Sequence, residues 1–254
     1  MPESSFVKAL NSFDPISLDE MDNVQLMNRV DTKFTLSEKG LSEILPELMN
    51  HFKILEVKGK RISKYESLYF DDDNFTFYID HHRRKINRYK VRYRTYVDSN
   101  LSFLEVKHKN KGRTNKMRIV VDGIKQELSP EHKKFVSDSG VQINNLKPAL
   151  MNTFDRITLV GKVFNERLTL DLNLSFSLEG KNEKINNLVI AELKQEKVTR
   201  NSPFYRIMKK RLIRPLRISK YCTGLIKMLG SKNIKYNRFK KKLLQIEKIN
   251  KNAA

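Results

Sequence analysis

Charged residues in this chain recur at every second position of several strand-like runs. In Lys90-Val91-Arg92-Tyr93-Arg94 the cations stand at Lys90, Arg92 and Arg94; the same spacing returns at Glu105/Lys107/Lys109, Lys116/Arg118, Arg167/Thr169/Asp171 and Glu192/Lys194. Alternate residues of a β-strand share a face, so each run carries its charges on one side. A sheet with one wet face shows polar residues to water and hides apolar ones. Here the opposite faces hold apolar residues too, read as Phe103, Leu104, Val106, Met117, Leu168, Leu170, Leu172 and Leu193. That pattern predicts a closed sheet whose outer side is covered and whose inner side is charged. An interior lined with so many cations is expected to hold a polyanion.

Composition sets the limits around this expectation. A chain of 254 residues with 39% hydrophobic content can build one large domain, or one domain with a helical appendage. Fifty Lys and Arg against 29 Asp and Glu leave a formal charge of +21, which favours a polyanionic partner but does not choose among nucleic acid, anionic membrane and condensed phosphate. The single Cys222 excludes an internal disulfide and a cysteine-based zinc cluster. The N-terminal run lacks a basic segment followed by an apolar one, and no stretch approaches a membrane span. The expected location is the cytoplasm.

Local signals place the elements. Residues 1–15 read as a loose arm, and Ser17 opens a short helix with Asp19 and Glu20 in its first turn. A strand over about 28–36 precedes a helix capped by Ser37, with Leu41, Ile44, Leu45 and Leu48 on one stripe. Strands are expected near 52–58 and 61–70, a helix within 72–82, and a meander over 88–97, 101–109 and 115–121. Further helices start at Ser129, Ser202 and Ser219 and over 236–252; further strands fit 153–161, 166–175 and 187–197. The result is α+β, an antiparallel eight-stranded tunnel barrel with flanking helices. Such a barrel encloses one ligand. The expected division is an N-terminal arm (1–24), the tunnel domain (25–229) and a basic C-terminal helix or tail (230–254).

The motifs Asn28-Arg29-Val30-Asp31-Thr32-Lys33-Phe34, Tyr69-Phe70-Asp71, Phe77-Tyr78, Tyr89 to Arg94, Phe103 to Lys107, Lys116-Met117-Arg118, Asp155-Arg156, Ala191 to Lys194 and Ser219-Lys220-Tyr221 follow one another in order. Over residues 25–229 this series resembles the VTC (vacuolar transporter chaperone) polyphosphate polymerase domain of the triphosphate tunnel metalloenzymes. The resemblance implies an antiparallel tunnel that binds a nucleoside triphosphate with Mn2+ or Mg2+, and moves the terminal phosphoryl group of ATP onto a polyphosphate chain. Lys33, Arg92, Arg94, Lys107, Lys116, Arg156 and Lys220 match the family's phosphate-binding positions. Lys90, Lys109, Arg118, Arg167 and Lys194 extend the lining as further substrate-binding candidates. Glu192 matches the family's metal-binding glutamate, and Glu105 and Asp171 either assist the metal or orient neighbouring cations. The eukaryotic relatives carry a phosphate-sensing domain and membrane helices, neither of which is recognisable in these residues, so export of product is expected to need another protein.

The residues carry that reading on their own chemistry. Phosphoryl transfer demands positioning and charge neutralisation, which Arg forks and Lys point charges supply. For any one cation a solvated strand face or a surface ion pair is about as good an account; recurrence on several strands moves the set toward function. Where many tunnel hydrolases and cyclases carry carboxylate-x-carboxylate-x-Lys, this chain has Arg29-x-Asp31-x-Lys33. That departure favours polymerase over hydrolase. Tyr69, Phe70, Phe75, Phe77 and Tyr78 could stack on a base but read rather as core, His81-His82 as a surface pair, and Cys222 as a buried thiol. The basic tail reads as a solvated helix or as a dock for polyphosphate, a membrane or a membrane-protein partner. The rival readings are a triphosphatase, a non-catalytic polyphosphate-binding module, and a nucleic-acid binder supported by net charge alone.

Overall fold

Four serines start four helices. Ser37 Oγ accepts from the Gly40 amide at 3.0 Å, and Ser129, Ser202 and Ser219 accept likewise from His132, Tyr205 and Cys222. Each bond satisfies an amide that the first helical turn leaves unpaired. The computed structural model describes residues 5–22, 30–111, 113–143 and 145–251. Its helices are α1 (Ser5–Asn11), α2 (Leu18–Asp22), α3 (Glu38–Met49), α4 (Thr76–His82), α5 (Pro130–Asp138), α6 (Pro203–Lys210), α7 (Lys220–Leu229) and α8 (Lys240–Lys251). Its strands are β1 (Pro15–Ile16), β2 (Val30–Leu36), β3 (Phe52–Leu55), β4 (Ser63–Asp71), β5 (Arg88–Tyr96), β6 (Leu101–Asn110), β7 (Arg113–Val121), β8 (Lys147–Gly161), β9 (Glu166–Leu178), β10 (Lys181–Ile185) and β11 (Val189–Gln195).

Eight strands form one antiparallel path in the order β2-β11-β9-β8-β4-β5-β6-β7, with β10 added beside β9 and β3 beside β8. The expected α+β class and eight-stranded antiparallel sheet are therefore present. The sheet curls into a half-barrel. Among the described residues β2 and β7 do not pair with each other; the free edge of β2 is met by the segment before α7, where Leu216 N donates to Lys33 O at 2.7 Å.

The outer face is covered as the alternation requires. Leu41, Ile44, Leu45 and Leu48 of α3 and Phe204, Ile207 and Met208 of α6 pack on Phe34, Leu168, Leu170 and Leu193. Around the curve, Val136 of α5 packs with Leu68, Phe70, Val91, Leu104 and Val106. Each such side chain contributes roughly 1.5–3 kcal/mol when fully buried. The N-terminal segment joins this packing: α1 and the residues after it bury Leu10 and Phe13, so residues 5–15, the described part of the arm expected to be loose, are packed.

Part of the inner face is apolar. Asp171 faces inward and Leu172 outward, but Asn173 adopts φ 51° and the β8–β9 register shifts beside it, so Leu174 and Phe176 also turn inward. A one-residue bulge exchanges the faces of everything beyond it. Helix α7 lies on this apolar floor, packing Tyr221, Leu225 and Ile226 against Leu150, Phe154, Leu174 and Phe176. The approach is closest at Gly224. A methyl there would stand 2.6 Å from Phe176 Cε1 and 2.7 Å from Leu150 Cδ2.

Gly224→Ala should therefore destabilise the protein by up to about 2 kcal/mol net, because an overpacking cost of about 1–3 kcal/mol outweighs the ~1 kcal/mol helix preference of Ala over Gly. Urea unfolding of the two proteins measures this; a more stable variant would show that α7 does not bear on the sheet at this residue.

Candidate functional site

The register of the sheet assembles the charged face. Glu192 of β11 lies opposite Lys33 of β2 and Thr169 of β9, and Asp171 lies opposite Arg156 of β8. Across the curl, Arg92 of β5 lies opposite Glu105 of β6, which in turn faces Arg118 of β7. Lys33, Arg92, Arg94, Lys107 and Arg156 thus share the inner face, and Lys220 of α7 reaches it through its ion pair with Asp171. They are near enough to act on one another: Lys107 feels Arg92, Arg94 and Lys33, and Lys220 feels Arg156 and Lys33.

Three carboxylates each stand between two cations. Glu105 accepts from Arg92 Nε at 2.8 Å and Nη2 at 2.6 Å, and pairs with Lys116. Asp171 accepts from Arg156 Nε at 2.6 Å and Nη2 at 2.9 Å, and pairs with Lys220. Glu192 lies 3.2 Å from Lys33 and 3.6 Å from Lys194. The side chains of Glu105 and Asp171 are 0% and 1% exposed, that of Glu192 15%. Burial opposes charge on all three, but the cations overcome it and hold the carboxyls well below the usual range. Arg94 and Lys107 have no carboxylate ion pair among the described residues; Arg94 Nε donates to Ser67 Oγ at 3.2 Å. Burial, then the neighbouring arginines, pulls Lys107 well below an ordinary lysine. Burial and Arg156 likewise lower Lys194 and Lys220 to about 8, against the pull of Glu192 and Asp171 respectively.

The remaining candidates sit less centrally. Lys90 Nζ donates to Ser219 Oγ at 3.0 Å, at the start of α7. Lys116 and Arg118 lie on β7, which is largely exposed, and Arg118 stacks over Phe103 at 4.4 Å. Phe103 is therefore an inner-face residue, opposite Arg94 in the register, and not part of the outer apolar face as expected. Arg167 donates to Met21 O at 3.3 Å beneath α2, and Lys109 pairs across strands with Arg88. Asn28 and Arg29 of the first-strand motif lie outside the described residues.

Three groups on this face were not assigned to the charged lining from the sequence. Phe154 is a platform under Arg94, Arg156 and Lys220, at 5.9, 5.2 and 4.3 Å. Ser219, expected as a helix start, also holds Lys90. Tyr69, expected in the core, is buried but faces the cations: it accepts from Arg92 Nη1 at 3.0 Å and stacks on Tyr221 at 5.0 Å. The signal was available, since Tyr65, Ser67 and Tyr69 alternate as the cations do on β5. His81 and His82 also differ from expectation. His82 is 6% exposed and bonds Asn237 at 2.7 Å, so the two are not a surface pair.

Burial opposes ionisation of Tyr69, yet Arg92, Arg94, Lys90 and Lys220 bring it down to about 8, whereas Tyr65, Tyr78, Tyr93 and Tyr221 are raised by burial. A tyrosinate absorbance titration should show a single phenol ionising near pH 8. Tyr69→Phe should lose that step; its persistence would place the Tyr69 hydroxyl away from the cations.

Comparisons with known proteins bear on the fold and the family. A proposed adenylate cyclase of Bacillus halodurans shares the fold with TM-score 0.50 at 15% identity, over 81% of this chain and 100% of that one. A proposed adenylate cyclase of Vibrio parahaemolyticus gives 0.44 at 12% identity (77% and 96% covered), and the PH1012 protein of Pyrococcus horikoshii 0.43 at 13% (78% and 99%). No curated protein matches the chain. Among the described residues no helix is long and apolar enough to cross a membrane. The family model of the VTC domain matches residues 28–229. With its curled antiparallel sheet and cation-lined inner face, the chain belongs to the VTC domain family and has the triphosphate-tunnel fold, which supports a triphosphate- or polyphosphate-related role.

Proposed function

We propose that this protein is an ATP-dependent, metal-requiring polyphosphate polymerase. The observation that carries the reading is the surplus of cations on an enclosed face. Even after three carboxylates have each taken two partners, Arg94 and Lys107 remain without one among the described residues. Buried cations without counter-charge are costly unless an anion joins them. Triphosphate and polyphosphate answer that need. The acceptor is a terminal phosphate oxygen of the growing chain, which attacks the γ-phosphorus of ATP as the β–γ bridging bond breaks and ADP leaves. Such a nucleophile is ionised near neutral pH, so the reaction requires no general base.

The donor set fits a hard divalent ion bound mainly through substrate. No group of three or more His, Cys, Asp or Glu residues that could hold a metal occurs among the described residues, and Mg2+ commonly takes one or two carboxylates plus phosphate oxygens. Glu192 suits that role, being more exposed and more loosely paired than Glu105 or Asp171. We assign Glu105 and Asp171 to orienting their arginines. A divalent ion at Glu192 would neutralise charge on the transferring phosphoryl group. Lys33, Arg92, Arg94, Lys107, Arg156 and Lys220 would bind and align the triphosphate, with Lys90, Lys109, Lys116, Arg118, Arg167 and Lys194 extending the lining.

Incubation with ATP and Mn2+, with products resolved on a gel, tests the reading: long polymer supports it, free phosphate alone makes the protein a triphosphatase, and no turnover makes it a binding module. Glu192→Gln should lower turnover roughly a hundredfold or more while ATP still binds. Unchanged turnover would put the metal elsewhere.

Affinity for triphosphate should fall as pH rises through about 8, where Lys194 and Lys220 lose their protons and Tyr69 gains a negative charge. An anion favours the protonated lysines, so binding near pH 8 should take up protons. Calorimetry in buffers of different ionisation enthalpy reads that uptake directly; proton release would contradict the assignment.

A further inference from the structure

The cations of the inner face do not stop at Lys90. Two residues along β5, Arg88 lies on the same face and directly opposite Lys109 of β6. Beyond them, His81 of α4 stands in the combined field of Lys90, Arg88, Lys242 and Lys109, and Lys242 of α8 feels Arg84. Lys242 Nζ lies 5.2 Å from the Phe239 ring, whose centroid is 5.9 Å from that of His81. A basic row therefore runs from the inner face to the C-terminal helix.

That helix is not a loose tail. Tyr78 Oη donates to Lys235 O at 2.7 Å, Asn187 Nδ2 donates to Ile249 O at 2.9 Å, and Ile246 is buried. The position of Lys242 is thus set by the fold. The family match ends at residue 229, so α8 lies beyond it.

The row lacks counter-charge of its own. None of Arg84, Arg88, Lys109 and Lys242 forms an ion pair with a carboxylate among the described residues. Of the carboxylates nearby, Asp80 pairs with Lys85 at 2.7 Å and Asp31 favours the charge of Lys109. His81 adds no charge, since burial and the surrounding cations push its ring down to about 2, and its Nδ1 is buried without a hydrogen-bond partner among the described residues. Like charges gathered in this way repel, and a polyanion relieves them.

We infer that Arg84, Arg88 and Lys242, continuing the inner lining past Lys109, form a second anion site, which holds linear condensed phosphate beyond the units gripped by the inner face. This rests on the polyphosphate reading above. Triphosphate at Glu192 engages the inner site only, whereas a long chain engages both.

The test compares triphosphate with long-chain polyphosphate on the full-length protein, using Arg84→Ala/Lys242→Ala and a control, Lys39→Ala/Lys248→Ala, with the same loss of charge. Long-chain affinity should fall about tenfold in the first variant only, as expected for two lost charge-assisted contacts, with triphosphate affinity unchanged. The salt dependence of long-chain binding should also become shallower, by about 0.7 per contact if the chain behaves as a single-stranded polyanion. Equal losses in both variants, or a matching loss for duplex DNA, would reduce the row to a nonspecific basic surface. An unchanged long-chain affinity would overturn the second site alone. A wild-type protein that binds neither phosphate would overturn the function proposed above, and the second site with it.

Discussion

Burying cations beside one another is the constraint on which this structure turns. An isolated charge inside a protein is expensive, and several of one sign are more so. Glu105, Asp171 and Glu192 meet that constraint because each draws its partners from different segments. Glu105 joins β5, β6 and β7 through Arg92 and Lys116; Asp171 joins β8, β9 and α7 through Arg156 and Lys220; Glu192 joins β2 and β11 through Lys33 and Lys194. The same contacts that neutralise charge also aim the Arg forks. Losing one carboxylate would free two cations at once, a larger disturbance than losing either cation.

The compensation is incomplete by construction. Arg94 and Lys107 have no carboxylate ion pair among the described residues, and Lys107, Lys194 and Lys220 all hold their protons less firmly than ordinary lysines. These are two expressions of one energy, the positive potential of an enclosed face. Local conflicts of this kind persist where function requires them. Under the function proposed above, the conflict has a physical purpose, since a phosphate ligand would supply the missing charge.

The scaffold needs little sequence in common to achieve this. A protein 15% identical shares the fold over 81% of the chain. Strand alternation and an outer apolar cover define the sheet, and many combinations of apolar residues satisfy both. What must be specific is local: the bulge at Asn173 that turns Leu174 and Phe176 inward, and Gly224, where α7 comes close enough to lie on them. Those two features bring Lys220 to Asp171.

The alternation of charges was legible in the chain itself, because a period of two survives any curvature of the sheet. So were the serine caps, whose chemistry is complete within four residues. Period and caps together determined the strands other than β1 and β10, the starts of four helices, and the inward face of Arg92, Arg94, Lys107 and Glu192. They could not tell Tyr69 from a core tyrosine or Phe103 from an outer one, since an aromatic ring suits either face and only the neighbours across the strands distinguish them. Nor could they show His82 buried against Asn237, more than a hundred residues away. The carboxylate clamps, the seating of α7 and the row from Lys90 to Lys242 were decided by tertiary structure alone. Each joins residues distant in sequence, and no local pattern encodes which two strands a curled sheet will bring face to face.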